Sequence, residues 1–361
     1  MRSRTPAILA RCCARRTRGT SAIQLRNEST STASTWEPAL APGVNPAYDA
    51  ALSYLAQHQS DTLAKLSQLP DPSSPEAQQL EIEAYINDPA IRRRFRETNG
   101  RGEMDKVVMR SLAESSWRKQ GGLDLLMQRV HQLGVVPDLL PEITSTSPLT
   151  VSSTSEIEPG SFVAPSTFAS PPRLTFQPFS DTTPSLHTLL VIDLDSPSHE
   201  TQSYTERVHY LKSDIPLSAL SGDLDLFASA SGGTEHLSWE PLAPAQGSGK
   251  HRYVFIVLQH ASPSSSKPTS RENFSLRTFI EETSAVPAGI TLVRAKYSAE
   301  EEAYIDKVYS EYRGGPAPVY GKSPKEMRYG YPMSSKALRA DGIRNDAWEK
   351  MLDGFQVKSE E

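Results

Sequence analysis

The chain has 361 residues and a mass of 39.7 kDa, long enough for two domains with a sizeable core. It carries a formal charge of −5 and is 37% apolar. No window holds the uncharged apolar run of roughly 18 residues that a membrane span needs, which excludes an integral helical membrane protein.

The first 35 residues stand apart. They contain Arg2, Arg4, Arg11, Arg15, Arg16, Arg18 and Arg26 against a single acid, Glu28, among many Ser and Thr. Arg-rich, Ser-rich and acid-poor composition is that of a mitochondrial transit peptide, which places the mature protein in the mitochondrial matrix. A disordered basic tail is the other reading of the same composition. A secretory signal needs a longer apolar centre than Pro6 to Ala10 supplies. Removal of residues 1–35 moves the formal charge from −5 to −11, because seven arginines and one glutamate leave. Cys12 and Cys13 leave with them, so the mature chain has no disulfide, thiolate nucleophile or zinc–thiolate site.

Residues 36–45 read as an extended linker. Three helix starts follow, each with a capping residue before proline: Asn45-Pro46, Ser74-Pro75 and Asp88-Pro89. Further helices are expected over about 103–119 and 122–133, the last closed by Gly134. Residues 36–136 therefore form a helical N-terminal extension. Residues 137–159 begin a Ser-, Thr- and Pro-rich stretch, reaching Pro172, that reads as a connector running over a surface.

Strand signals dominate the next part, at Leu189–Leu194, Val208–Leu211, Tyr253–Leu258 and Ile290–Ala295. Gly, Pro and Ser clusters separate them, as in an antiparallel β domain over residues 160–312. Ala299–Tyr309 has the period of an amphipathic helix packed on that domain. Residues 313–361 form an extended C-terminal tail that mixes aromatics with Lys322, Lys325, Arg328, Lys336, Arg339 and Arg344. The fold class is α+β.

Two segments carry the chemistry. Asp193-Leu194-Asp195-Ser196-Pro197 ends one apolar strand, and Gly247-Ser248-Gly249-Lys250-His251-Arg252-Tyr253-Val254-Phe255 turns from a glycine loop into another. If the two strands are neighbours in one sheet, their polar groups converge on one cavity. Together the segments resemble the phosphatidylethanolamine-binding protein family, whose motifs run Asp-Pro-Asp-x-Pro and Gly-x-Gly-x-His-Arg-Tyr-Val-Phe. The resemblance implies an anion pocket lined by Asp193, His209, His251 and Tyr253, with Asp195 and Pro197 shaping its loop. Leu194 stands where the family has Pro, and Ala243 where it has Gly at the pocket mouth. The added methyl group narrows that opening. The pocket is thus expected to be vestigial, its residues serving as a buried hydrogen-bonded network.

No enzyme activity and no cofactor are expected. The chain has no serine elbow, no His pair at helical spacing, no Walker loop and no dinucleotide fingerprint.

Between Arg92 and Lys119 lie nine basic residues and four acids. Arg92, Arg93, Arg94, Arg96, Arg101, Arg118 and Lys119 are candidates for contact with a phosphate backbone, with Phe95 and Trp117 available for stacking. A solvated helix face with pairs such as Arg101–Asp105 is the other reading. The Lys106–Arg110 pair is repulsive and argues for an outside anion.

Leader, helical unit and β domain together, with the phrase from Leu125 to Pro141, resemble the thirty-eight family of mitochondrial large-ribosomal-subunit proteins. That resemblance implies a structural role near the central protuberance, with ribosomal proteins and rRNA as partners and no small-molecule substrate. The rival is a free matrix protein of phosphatidylethanolamine-binding type that binds phospholipid head groups or inhibits a protease or kinase.

Overall fold

The computed structural model describes residues 36–71, 74–180, 182–198, 202–263, 270–321, 327–328, 331–332 and 334–356. The leader, Lys322 and Lys325 lie outside them. Among the described residues the chain divides into two units between Leu52 and Ser53, within the first helix. In the first unit, Asn45 opens helix α1 (Pro46–Leu66) by accepting the N–H groups of Ala47 and Tyr48 at 3.1 and 3.4 Å. Asp49 also accepts from Gly43 N at 2.7 Å.

In the second unit the expected caps are in place. Ser74 Oγ accepts from Ala77 N ahead of α2 (Pro75–Tyr85), and Asp88 Oδ1 accepts from Ala90 N ahead of α3 (Pro89–Thr98). Each such cap satisfies an N–H that the first helical turn leaves without a partner, typically worth about 1 kcal/mol. Asn99, in the left-handed region at φ 51°, ends α3. Helix α4 (Val107–Lys119) starts later than residue 103, because Glu103 is used in a turn where its carboxylate takes Arg94 and Lys106. Then come α5 (Gly122–Gln132) and the single turn α6 (Val135–Asp138), separated by Gly134 at φ 65°.

Strands β1 (Leu149–Ser152), β2 (Glu156–Ile157) and β3 (Arg173–Phe176) form a small antiparallel sheet in the order β2-β1-β3. The main antiparallel sheet comprises β4 (Ser185–Ser198), β5 (Ser203–Leu217), β6 (Thr234–Leu237), β7 (Lys250–His260) and β8 (Val286–Lys296), ordered β6-β5-β4-β7-β8. All four expected strand signals fall inside β4, β5, β7 and β8.

The main sheet is covered on both faces. Leu190, Ile192, Val254, Ile256 and Leu292 pack with Leu126, Val130, Val135 and Leu139 of the helical segment and with α7 (Leu276–Thr283). Leu189, Val191, Phe255 and Val257 pack on the other side with Leu149, Val151, Leu174 and Phe176 of the small sheet. Burial on both faces is why Leu189–Ile192 is a continuous apolar run rather than an alternating one.

Two consequences correct the sequence reading. The limit placed at residue 136 falls inside the core, since α5 and α6 cover one face of the β domain. The stretch from Pro137 is also no surface connector: Leu139, Leu140 and Ile143 are buried, and β1 forms one wall of the second cluster. Its alternation runs for only four residues, Leu149 and Val151 inward, too short to stand out from the surrounding Ser and Thr. Near the C-terminus, α8 (Glu302–Val308) matches the expected amphipathic helix. A short β9–β10 pair (Met327–Arg328, Tyr331–Pro332) and the helix α9 (Ser335–Gln356) occupy the segment read as extended. Lys336, Arg339 and Arg344 fall on α9, where Ala337, Leu338 and Ala340 supply good helix formers.

Candidate functional site

Strand β4 lies between β5 and β7, so the two motif segments are neighbours. Asp193 is opposite Tyr253 on β7 and Arg207 on β5. The period of two turns Asp193 toward the small-sheet side and Leu194 toward the helices, where Leu194 joins the first core cluster. A proline there would remove the backbone donor and this contact.

Asp193, His209, His251 and Tyr253 come together, and all are at most 3% exposed. Asp193 Oδ2 is 2.7 Å from His251 Nδ1, and its Oδ1 accepts from Asp195 N at 3.0 Å. His209 stands edge-on to the Tyr253 ring at 5.2 Å, while His251 stacks on that ring at 6.0 Å. Burial pushes the Asp193 carboxyl up, but His251, His209 and the Asp195 N–H together bring the net direction down. Burial lowers the His209 imidazole, against the pull of Glu240 and Asp193, and raises the Tyr253 phenol well above its ordinary value.

Asp195 does not join them. Arg252 claims both of its oxygens, aided by a shift of register between Asp193 and Ser196. Pro197 lies further along β4 and lines a cleft.

Sequence reasoning missed four side chains around this cluster. Ser248 Oγ is 2.7 Å from His251 Nε2, which completes an Asp193–His251–Ser248 line at hydrogen-bond distances. Ser248 is buried, and its single hydroxyl hydrogen has a second acceptor, the Ala245 carbonyl at 2.8 Å. Glu240 is fully buried and holds Arg207 through two bonds of 3.1 and 3.0 Å and Arg313 through one of 2.9 Å. Burial pushes the Glu240 carboxyl up, yet His209, Arg313 and Arg207 bring it down to about 2. No local motif announces this group. The one signal was an acid inside the otherwise apolar stretch from Trp239 to Ala245.

A second apolar group lies after Glu240. Ala243 and Ala245 are buried with Ile305, Val308 and Tyr309, and Ala317 and Tyr320 pack against them. Gln246 pairs with Val319 in a parallel bridge, with Tyr320 N donating to the Gln246 carbonyl at 2.8 Å. Gly247 is required beneath this strap: its φ is +80°, and a Cβ there would collide with the Tyr320 carbonyl. Strap residues Gly315, Pro316, Pro318 and Tyr320 line part of a cleft of about 400 Å³, together with Arg207, Glu272, Tyr309 and Arg313 among others. None of the four clustered pocket residues lines it.

The basic segment is largely paired with its own neighbours. Arg93 meets Glu97, Arg94 meets Glu103, and Arg118 meets Glu114. Arg92 donates to the Ile86 carbonyl at 2.8 Å, and Arg96 to the Arg92 carbonyl at 3.4 Å. Arg101 and Lys119 are exposed. The Lys106–Arg110 repulsion does not arise, since Arg110 is buried on the carbonyls of Met104 and Asp105 and Lys106 pairs with Glu103. Trp117 is 6.0 Å from Phe179. Among the described residues, no helix is long and apolar enough to cross a membrane, and no group of three or more His, Cys, Asp or Glu is placed to hold a metal.

The phosphatidylethanolamine-binding protein family matches residues 153–298. Large ribosomal subunit protein mL38 of Schizosaccharomyces pombe is 27% identical over 262 residues, covering 69% of this chain and 82% of that protein. The chain is similar to mL38 over most of its length and to the phosphatidylethanolamine-binding protein family over residues 153–298. Protein TERMINAL FLOWER 1 of Arabidopsis thaliana is 28% identical over 48% of this chain and 90% of its own length. The phosphatidylethanolamine-binding protein of Plasmodium vivax aligns at 20% identity and a TM-score of 0.39, covering 47% of this chain and 97% of that one.

Proposed function

We propose that this protein is a structural component of the mitochondrial large ribosomal subunit, in the matrix, where it contacts ribosomal proteins and rRNA and supports mitochondrial translation. One observation carries the reading. Similarity to mL38 extends over 69% of the chain, whereas the phosphatidylethanolamine-binding match is confined to residues 153–298. A ligand-binding β domain alone gives no reason for that wider match. The Arg-rich leader supports import into mitochondria.

Arg92, Arg93, Arg94, Arg96, Arg101, Arg118 and Lys119 are proposed as rRNA contacts. Their local ion pairs do not forbid this, because exposed pairs contribute only about 0–1 kcal/mol and exchange readily for phosphate. The cluster of Asp193, His209, His251 and Tyr253 is proposed to be a vestigial pocket that specifies the fold.

Sedimentation of tagged protein from mitochondrial lysate, with and without magnesium chelation, tests the assignment. The protein should travel with the large subunit in high salt, and recovery mainly in light fractions from fresh lysate would sink it. Alanine at Arg92, Arg93, Arg94 and Arg96 should weaken incorporation and flatten its salt dependence. Normal incorporation of that variant, beside failure of a well-folded His251→Ala protein, would place the working surface on the β domain instead.

A further inference from the structure

At one end of the main sheet, β7 and β8 place like charges in register. Lys250 is opposite Lys296, and Arg252 is opposite Arg294. Residues two apart share a face, so all four cations lie on one side of the sheet. Like charges directly opposite each other destabilise a sheet. Arg252 is answered by Asp195 and Asp138. The Lys250 and Lys296 side chains are exposed at this end of the sheet.

An aromatic ring sits among them. Phe162 forms a parallel bridge with Arg294, whose guanidinium lies 4.0 Å from the ring centroid. The Lys250 and Lys296 ammonium groups are 5.4 and 5.7 Å from the same centroid. Arg294 is fixed by donating from Nε to the Gly160 carbonyl at 2.6 Å. Phe162 is nevertheless 38% exposed. A large apolar ring held open to solvent and surrounded by three cations is a platform of the kind that stacks an unpaired base while its flanking phosphates meet basic side chains.

We propose that Phe162, Lys250, Arg294 and Lys296 form an RNA-contacting surface on the β domain, taking a single-stranded segment with one base on Phe162. RNA fits better than an acidic protein segment because a base can stack on the open part of the Phe162 ring while its phosphates meet the cations, whereas a carboxylate is repelled by the negative face of the ring. The surface deepens the ribosomal reading above and rests on it for the source of the RNA. It uses the sheet face opposite the vestigial cluster and is independent of the α3–α4 arginines.

The test is fluorescence anisotropy of a labelled short oligouridylate with the full chain over a range of KCl, so that the leader contributes equally to every arm. Lys250→Gln with Lys296→Gln should lower the slope of log affinity against log salt by about 1.4, at roughly 0.7 for each single-strand phosphate no longer neutralised. Phe162→Ala should weaken binding about fivefold or more, Phe162→Leu should do the same, and Phe162→Trp should retain affinity. Unchanged thermal melting checks folding, and the lysine variant carries the test if a Phe162 variant misfolds. Wild-type affinity and slope in the lysine variant would overturn the proposal. So would undiminished affinity of a folded Phe162→Ala protein, or a glutamate oligomer of equal charge binding as tightly as the RNA. Sedimentation judges the ribosomal reading separately: a protein absent from the large subunit would sink that reading and leave this measurement standing.

Discussion

Arg252 encloses the carboxylate of Asp195 in its guanidinium fork, with Nη2–Oδ1 and Nε–Oδ2 distances of 2.8 Å. Its remaining nitrogen, Nη1, donates to Asp138 Oδ2 at 2.8 Å and to the carbonyls of Leu133 and Gly134. One side chain thus joins β4 and β7 to the carbonyl end of α5 and to α6. It does in this chain what the shared hydrophobic face does on a larger scale.

Lysine cannot reproduce that fork. Arg252→Lys should cost about 2 kcal/mol, the scale of losing hydrogen bonds to a charged group. Urea unfolding followed by tryptophan fluorescence would measure it. A midpoint equal to wild type would show that the clasp is ornamental to stability.

Glu240 is a more severe case, because it is fully buried and faces Arg207 and Arg313, with Arg271 at 3.7 Å. Glu240→Gln leaves those cations without their shared anion, and breaking such a pair typically costs about 3–5 kcal/mol. Equilibrium unfolding should show a loss of that size. Glu272→Gln, at the exposed rim, should change stability by no more than about 1 kcal/mol.

Acid should weaken the fold through His187. Burial lowers its imidazole from 6.5 to about 4, against the Ser185 carbonyl that raises it. Between those values the unfolded chain binds the proton and the folded chain does not. The contribution is therefore complete above pH 6.5 and is lost as pH falls toward 4, amounting to roughly 3 kcal/mol. Asp193, also lowered, acts in the same direction at lower pH. Thermal melts across pH 7 to 4 should show the decline, and His187→Gln should flatten its upper part.

Phosphorylethanolamine should not saturate the protein at millimolar concentration, meaning binding weaker than about 4 kcal/mol. The reason is that Asp193, His209, His251 and Tyr253 are buried, and that Ala243 and Ala245 are closed over by α8 and the strap. NMR titration of the histidine ring protons would detect binding. Saturable shifts well below that range would favour a head-group sensor.

Much of the architecture was legible because its signals are local. Asn45, Ser74 and Asp88 each precede a proline, and each marks a helix start through a bond within three residues. The strand at Leu189–Leu194 and its partner after Gly249 showed in the same way, whereas the grouping of Asp193, His209, His251 and Tyr253 was implied only by the resemblance to the phosphatidylethanolamine-binding protein family. What escaped depends on distance along the chain. Glu240 has Arg207 on one side of it in sequence and Arg313 on the other, and nothing near any of the three predicts the meeting. The inward Leu149 and Val151 were hidden because a four-residue strand has barely two periods. The role of Leu139 and Ile143 in the β core is likewise set by what packs on them from β4, β7 and α7.

The strap formed by residues 314–320 comes late in the order of synthesis. The main sheet ends with β8 at Lys296, so all its strands are complete before Val319 exists to pair with Gln246. A chain halted near Gly314 would hold its strands and α8 but lack Ala317 and Tyr320, leaving uncovered the side of the Ala243, Ala245 and Tyr309 cluster on which they pack. That is an apolar surface of the kind chaperones recognise in unfinished polypeptides. Quality control could therefore distinguish a finished copy from a truncated one by that uncovered surface.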